Sequence, residues 1–324
     1  MLSKVALVTC LISSAFAGPL APPYVVQRNS PEHHVSNVGA PITKPINRYL
    51  LSPHDTKISE STSAQAPRTF PRLHTREVNQ KVLNAALANH DMSETTYCNS
   101  SGVDTYQMYR GNGSPSEGWP EKSLWVPFEN MFRNYRGQML QSCGNQNPPQ
   151  PNNDEEEVKA IYDGIQKASV ASGVDRRFIL AILMQESKGC VRAPTTNYGV
   201  RNPGLMQNHD GAGTCNEGGL VKKPCPEATI HQMISEGVSG TAAGDGLANC
   251  MNVAAGAGGA DVSAFYKAAR IYNSGSIAKT GQLQDGIATH CYASDVANRL
   301  TGWVAAPSKC TCDEDPKSCG IVTK

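Results

Sequence analysis

The sequence predicts a mainly α-helical domain stapled by disulfides, and three observations point to it. Apolar residues recur at helical spacing in several stretches between about residues 120 and 304, whereas the alternation typical of β-strands is nearly absent. Ten of the eleven cysteines lie between residues 98 and 319, an even number that fits up to five disulfides. The chain of 324 residues carries Lys+Arg 29 and Asp+Glu 28, so it lacks the basic excess expected of a nucleic-acid-binding protein.

The first 17 residues are typical of a secretion signal. A short start with Lys4 precedes an apolar run from Val5 to Phe16, and Ala15-Phe16-Ala17 supplies small residues at a cleavage site. This run is shorter than the roughly 18 apolar residues of a spanning helix, and no later segment approaches that length. We therefore expect a secreted, extracellular protein without a membrane segment, with a buried N-terminal helix as the alternative interpretation.

Residues 18–90 are expected to be a disordered linker or a removable pro-segment. The part from Gly18 to Pro71 contains 9 of the 21 prolines, no cysteine and no apolar period. Residues 76–90 could form a short helix that leads into the folded domain, which we expect to span 91–324. Basic sites for processing are Arg68, Arg72 and Arg76.

Within the predicted domain, end signals and apolar spacing place the helices. Asp154-Glu-Glu-Glu opens one helix and Ser172-Gly173 closes it. A second helix runs from about Asp175 to Ser187. Before them, one helix face between 120 and 140 carries Trp125, Phe128, Met131 and Phe132. Later helical stretches are expected at 226–238, 243–252, 261–272 and 291–304.

In an oxidising compartment, cysteines favour disulfides, although the sequence does not give their pairing. A zinc site at Cys310, Cys312 and Cys319 is the alternative, with no histidine near them. Asn99 and Asn112 begin tripeptides that accept glycans in a eukaryotic host. The candidate disulfide cysteines are Cys98, Cys143, Cys190, Cys215, Cys225, Cys250, Cys291, Cys310, Cys312 and Cys319.

The most informative segment is the apolar helix that ends at Glu186. Phe178, Ile182 and Glu186 are four residues apart and share a face that should pack inward. Burial and the negative end of the helix dipole both raise the pKa of a carboxyl group. A glutamate protonated near neutral pH suits a glycosidase general acid. The segment alone also fits a carboxylate that merely emerges at a frayed helix end.

Three motifs follow one another along the chain: Glu186-Ser187 at a helix end, Gly-Leu-Met-Gln at 204–207, and Tyr272-Asn273-Ser-Gly275 on a later helix. Together they resemble the motifs of the lytic transglycosylase and goose-type lysozyme family. The resemblance covers roughly 155–305 and implies a lysozyme-like α-helical domain. Departures from the bacterial pattern are the 17 residues between Glu186 and Gly204, Cys190, and the polar run Asn208-His209-Asp210.

The resemblance also implies roles for the motif residues. Glu186 would be the catalytic general acid and base, and Asp210 or Asp245 could add a second carboxylate. Simpler interpretations are a core position for Met206 or Tyr272, a helix C-cap at 273–275, and a turn at Asp245. The residues expected to contact substrate are Ser187, Gly204, Leu205, Met206, Gln207, Tyr272 and Asn273.

The expected function is cleavage of β-1,4-linked N-acetylhexosamine polymers, above all peptidoglycan, by transglycosylation or hydrolysis. We expect a monomer that needs no cofactor and no metal, that takes a polysaccharide as its partner, and that binds neither nucleic acid nor membrane. A chitin- or chitosan-degrading enzyme of the same fold is one alternative, and a non-catalytic secreted glycan-binding effector is another. A disulfide-rich structural or toxin-like protein would need none of the three motifs. The near-neutral charge argues against a strongly basic antibacterial lysozyme.

Overall fold

The computed structural model describes residues 79–89, 101–197, 199–256 and 261–323, and this part of the chain is mainly helical. Its α-helices are α1 (Phe128–Met139), α2 (Glu155–Ser172), α3 (Arg176–Ser187), α4 (Glu227–Ser239), α5 (Leu247–Gly256), α6 (Ser263–Ser274) and α7 (Tyr292–Thr301). Two antiparallel hairpins lie between α3 and α4, formed by β1 (Thr196–Asn197) with β2 (Arg201–Asn202) and by β3 (Asn216–Glu217) with β4 (Leu220–Val221). None of the described helices is long and apolar enough to cross a bilayer.

The third helix is the centre of the core and carries Glu186 at its last turn. Its residues 178–184 are all fully buried, because α1, α2 and α7 pack around it. The inward stripe predicted from Phe178 and Ile182 is therefore confirmed. The buried Asp175 carboxylate fixes the start of α3 by accepting a hydrogen bond from the Arg177 N–H at 3.0 Å. It also forms an ion pair with the Arg177 guanidinium at 2.8 Å.

A capping box holds the start of α2, and one of its residues, Glu157, also bonds to the chain before and after the two hairpins. The Asp154 carboxylate accepts a hydrogen bond from the Glu157 N–H at 2.9 Å, and the Glu157 carboxylate accepts one from the Asp154 N–H at 3.0 Å. Glu157 is itself buried, where it pairs with Arg192 and accepts a hydrogen bond from the Cys225 N–H at 2.6 Å. One capping residue thus connects α2 to the segment after α3 and to the start of α4.

Four disulfides staple the described residues, as predicted: Cys143–Cys190, Cys215–Cys225, Cys291–Cys310 and Cys312–Cys319. The sulfur atoms of Cys291, Cys310 and Cys312 lie within 4.8 Å of one another. Each of the three is bonded to another sulfur in a disulfide, so none of them offers the thiolate that a zinc site would need. Of the two other candidates, Cys98 lies outside the described residues and Cys250 is buried on α5.

Residues 79–89 do not form the helix that the sequence predicted for 76–90. They run as an extended strap with one turn at residues 84–87, where N–H groups bond to Asn84, while other polar groups of the strap bond to distant elements. The Gln80 N–H donates to the Ser239 carbonyl at 2.9 Å and the Val82 N–H donates to the Ser172 carbonyl at 2.8 Å. Val82 is buried whereas Leu83 is 82% exposed, which is the alternation of an extended chain.

Other predictions concern residues that the structure does not describe. The signal peptide at 1–17, residues 18–78 of the predicted linker and the glycosylation candidate Asn99 lie outside the described residues. The second candidate, Asn112, is half-buried in a turn, where its side-chain oxygen accepts a hydrogen bond from the Ser114 N–H at 2.9 Å.

Candidate active site

Glu186 lies at the last turn of α3 and is half-buried. The Tyr292 hydroxyl at the start of α7 donates a short hydrogen bond to its Oε1 atom. Burial raises the pKa of Glu186 to about 7, although the Tyr292 hydrogen bond and the nearby Lys188 charge both act to lower it. The carboxyl group is therefore close to half-protonated at neutral pH, which is the state that an acid–base catalyst requires.

The backbone that follows Glu186 is fixed by several independent contacts. Ser187 is buried, and its hydroxyl donates to the Leu183 carbonyl at 3.3 Å and accepts from the Gly189 N–H at 3.1 Å. The Asn153 amide donates to the Gly189 carbonyl at 2.7 Å, and Cys190 is tied to Cys143. The Ser187 hydroxyl thus closes the helix end inside the protein, which corrects the expectation that it contacts substrate.

The Gly-Leu-Met-Gln segment forms a turn between β2 and β3 that packs on α4. Gly204 has φ +75°, and a Cβ atom there would lie 2.6 Å from the Met233 sulfur. Leu205 and Met206 are fully buried, and Met206 sits so close to Gly237 of α4 that a Cβ atom at Gly237 would lie 2.7 Å from it. Core packing, rather than contact with a glycan, therefore explains these three residues of the motif, which corrects their expected role in substrate binding.

Tyr272 connects this turn to α6. Its hydroxyl donates to the Met206 carbonyl at 2.8 Å. Burial and the Glu186 charge both raise the pKa of Tyr272, so the ring lies within electrostatic range of the catalytic candidate. The Tyr-Asn-x-Gly motif thus brings α6 against both other motifs, while its Gly275 ends α6 in the left-handed conformation.

A cavity of about 640 Å³ opens beside these motifs. Gln207, Tyr272 and Asn273 line it, and their contact with substrate stays a prediction. Its walls also include Asn202, Asn208, His209, Glu236, Thr241, Asp245, Cys250 and the 90% exposed Ile287. Polar amides beside an aromatic ring and aliphatic groups suit a polar ligand with apolar faces, such as a sugar chain.

Glu186 itself is not a lining residue of this cavity, but its charge acts on one. Burial and the Glu186 charge both raise the pKa of Tyr272, which lines the cavity. Burial, the Glu186 charge and its hydrogen bond all raise the pKa of Tyr292, and the charges of Tyr272 and of Cys250, a second lining residue, add to the rise. Electrostatic interactions therefore link Glu186 to the part of the lining that Tyr272 forms.

Comparisons with family models, with curated proteins and with solved structures return no match. The chemistry of the site therefore has to be inferred from its own residues.

The structure separates the two candidates for a second carboxylate. Asp245 lines the cavity, where its carboxylate accepts a hydrogen bond from the Gln80 amide at 3.3 Å. Asp210 is exposed and lies outside the lining, with its N–H donating to the Arg201 carbonyl at 2.8 Å. The structure thus gives Asp245 the better position, and the loop ahead of α5 presents it as the glycine-rich sequence allows.

Two features of the candidate site had no clear signal in the sequence. Glu236 of α4 lines the cavity, yet its carboxylate accepts hydrogen bonds from the Gly213 N–H at 3.0 Å and the Ala212 N–H at 3.1 Å, so it supports the loop. Tyr292 lies at the start of a predicted helix, but only the packing of α7 against α3 shows that its hydroxyl meets Glu186.

Arg270 of α6 organises another wall of the cavity. Its side chain is 1% exposed and donates to the Asn273 side-chain oxygen at 3.3 Å and to the Thr289 and Asp285 carbonyls at 2.7 and 2.5 Å. These bonds hold the loop that carries Ile287 against α6. Arg270 is thus a structural support for Asn273 rather than a ligand-binding group.

Proposed function

We propose that this chain is a secreted glycan-cleaving enzyme in which Glu186 acts as general acid and then as general base. The observation that carries the proposal is the half-buried carboxyl group of Glu186, with a pKa of about 7, whose charge acts on Tyr272 in the wall of a cavity. A partly buried carboxyl group with a perturbed pKa in the neighbourhood of a cavity is a marker of a functional site. The three motifs and the helical framework support a lysozyme-like fold as part of the same proposal.

In the proposed reaction, protonated Glu186 gives its proton to the glycosidic oxygen as the bond to the anomeric carbon breaks. The leaving sugar departs as an alcohol, and the electron pair of the O–H bond stays on the carboxylate. Tyr292 holds that carboxylate by its hydrogen bond, which is stronger to the charged form. The oxygen of the attacking hydroxyl group, either of water or of the substrate itself, then bonds to the anomeric carbon while the carboxylate removes its proton and returns to its starting state.

Burial is the largest cause of the raised pKa of Glu186. Burial raises the pKa of the acid in glycosidases with one catalytic carboxylate and in those with two, so the pKa of Glu186 fits both mechanisms. With one carboxylate, a hydroxyl group of the substrate attacks, as in a lytic transglycosylase. With two, water can attack instead.

Hydrolysis is the second candidate because Asp245 lines the cavity. In an inverting enzyme, the base that activates water lies roughly 6.5–9.5 Å from the acid.

Peptidoglycan is the substrate that the motifs favour, and chitin or chitosan offers the same linkage.

The test is to incubate the purified protein with bacterial cell walls and with chitin oligomers, and to analyse the released fragments. Anhydro-muramic ends would support transglycosylation, and reducing ends would support hydrolysis. Glu186→Gln should abolish release, whereas Glu156→Gln, at an exposed position on α2, serves as the matched control. Asp245→Asn should reduce activity only if water is the nucleophile.

Release that persists in Glu186→Gln would refute the catalytic assignment. Wild-type protein that binds either polysaccharide without cleaving it would replace the enzyme proposal by that of a glycan-binding protein.

A further inference from the structure

Gln80, in the strap formed by residues 79–89, contacts the loop that carries Asp245. The Gly246 N–H donates to the side-chain oxygen of Gln80 at 3.0 Å, and the Gln80 amide donates to the Asp245 carboxylate at 3.3 Å. The first bond identifies the oxygen end of the amide, so its nitrogen end is the one that faces the carboxylate. The two bonds together require a side chain with both an acceptor and a donor, which glutamine provides.

The loop at 240–246, between α4 and α5, has little packing of its own. It contains three glycines, and its two alanines are exposed. Since no apolar side chain of the loop is buried, hydrogen bonds have to fix its position. Thr241 supplies one such bond near the start of the loop, where its hydroxyl donates to the His209 carbonyl at 2.6 Å. Gln80 supplies the bonds at the other end.

The strap and the loop also approach each other closely at the backbone. Gly240 has φ +84°, and a Cβ atom there would lie 2.8 Å from the Gln80 side-chain oxygen. A Cβ atom at Gly246 would lie 2.3 Å from the Gly240 nitrogen, so the two ends of the loop lie against each other. The Gln80 N–H donates to the Ser239 carbonyl at 2.9 Å. Gln80 is therefore packed where the loop leaves α4 and enters α5.

The strap has other attachments that do not involve the Gln80 side chain. The Val82 side chain is buried. On α5, the Asn252 side chain bonds to the strap twice, donating to the Lys81 carbonyl and accepting from the Leu83 N–H, each at 2.8 Å. These attachments hold the strap without the Gln80 side chain, so the bonds of that side chain act on the loop.

The loop forms part of the cavity wall. Thr241 and Asp245 line the cavity, as does His209, to which Thr241 is bonded. Gln80 itself is not among the lining residues. It therefore acts on a ligand only through the loop that it holds.

We propose that Gln80 is a positioning residue that holds the loop at 240–246 in the cavity wall, so that glycan binding depends on the N-terminal strap. The effect on a glycan rests on the proposed function, whereas the hold on the loop does not. The strap belongs to the segment that the sequence predicts to be a linker or a pro-segment. Processing at any of the basic sites up to Arg76 would leave Gln80 in place.

The first test measures the hold on the loop without any ligand. Hydrogen exchange of the Gly246 N–H, followed by NMR, should quicken by about fivefold or more in Gln80→Ala, the factor that corresponds to one ordinary hydrogen bond. Asn252→Ala is the matched control, because it removes two bonds of the strap but leaves those of Gln80 to the loop. An unchanged exchange rate in Gln80→Ala, or an equal increase in both variants, would refute the hold on the loop.

The second test measures glycan binding by calorimetry. A soluble chitin oligomer and a soluble peptidoglycan fragment are each titrated into protein that carries Glu186→Gln, so that neither is cleaved. Addition of Gln80→Ala should lower the affinity by about threefold or more, because only molecules with the loop in place are competent to bind. Addition of Asn252→Ala should leave the affinity unchanged, although both variants lose stability.

The two measurements separate the possible failures. Faster exchange of the Gly246 N–H with an unchanged affinity in Gln80→Ala would refute the role in binding. Protein with Glu186→Gln alone that binds neither glycan would refute the proposed function, and the exchange measurement would still test the hold on the loop.

A further pair of substitutions tests whether Gln80 acts through Asp245. Gln80→Glu places a second carboxylate against that of Asp245, so the loop should be displaced and the affinity should fall. In protein that carries Asp245→Asn, the same substitution should cost little, because the introduced carboxylate accepts hydrogen bonds from the introduced amide and from the Gly246 N–H. Equal losses of affinity in the two backgrounds would refute action through Asp245.

Discussion

Replacement of Glu186 by glutamine should leave stability nearly unchanged at about pH 4 and raise it well above wild type at about pH 8. The carboxyl group has a pKa of about 7 in the folded protein and an ordinary value of 4.5. Between these two values the folded state binds more protons than the unfolded state does. Stability therefore falls as pH rises through this window, and the loss is complete above the folded-state pKa.

The size of the effect follows from the two pKa values. They differ by about 2.5 units, from about 7 less 4.5. Each unit corresponds to about 1.4 kcal/mol, so ionisation of Glu186 costs the folded state about 3 kcal/mol. Glutamine cannot ionise and does not bear this cost. Any change in the bond to Tyr292 adds an offset that does not vary with pH, so the pH-dependent part isolates the carboxyl group.

The measurement is urea unfolding followed by circular dichroism, at intervals between about pH 4 and pH 8, without reductant. The difference in unfolding free energy between Glu186→Gln and wild type should grow by about 3 kcal/mol across this range. Glu156→Gln is the control, because an exposed carboxylate is similarly solvated in both states and should show little growth. Parallel stability curves for Glu186→Gln and wild type would refute the burial argument and the proton-donor role that depends on it.

Three further predictions use the same protein. Tyr292→Phe removes the hydrogen bond to the Glu186 carboxylate, so the pKa of Glu186 should rise. In the measured pH–rate profile, the basic limb should move to higher pH. Gly204→Ala should lower the unfolding free energy by about 2 kcal/mol, because φ is +75° and the new methyl group would meet Met233; thermal unfolding checks this. Serine at Cys143 and Cys190 together should cost about 4 kcal/mol for a sequence separation of 47, as measured by denaturant unfolding.

The sequence predicts the helices well because their ends carry local signals. Asp154 and Gly173 bound α2 in the structure as they do in the sequence pattern, since a cap acts on the backbone within one turn. Where a segment has no end signal of its own, tertiary contacts decide. Residues 79–89 have helical composition, but the chain is extended there because its N–H groups reach Ser239 and Ser172.

The sequence predicts the position of the candidate acid, Glu186, but only part of the cavity wall. Periodicity places Glu186 on the buried face of α3, and burial raises its pKa as expected. Motif spacing does not reveal which side chain of a turn points to solvent. Gln207 faces the cavity whereas Met206 fills the core, and this difference depends on how the turn packs against α4. The partner of Glu186 on α7 likewise depends on long-range packing.

A carboxyl group with a pKa near 7 is useful only if its surroundings cannot relax to solvate it. Water that entered around Glu186 would return the pKa toward its ordinary value, so the proposed proton donor would be ionised at neutral pH. The contacts after the helix oppose such relaxation, since the Cys143–Cys190 disulfide and the Asn153 bond to Gly189 fix the chain three to four residues beyond it. Cys190, in the loop between Glu186 and Gly204, therefore helps to maintain the pKa of Glu186 in addition to stabilising the fold. On this reasoning, reduction of that disulfide should lower the pKa of Glu186 before the helices unfold. Carbon NMR of protein with labelled glutamate carboxyl groups, titrated with and without reductant, would detect the change.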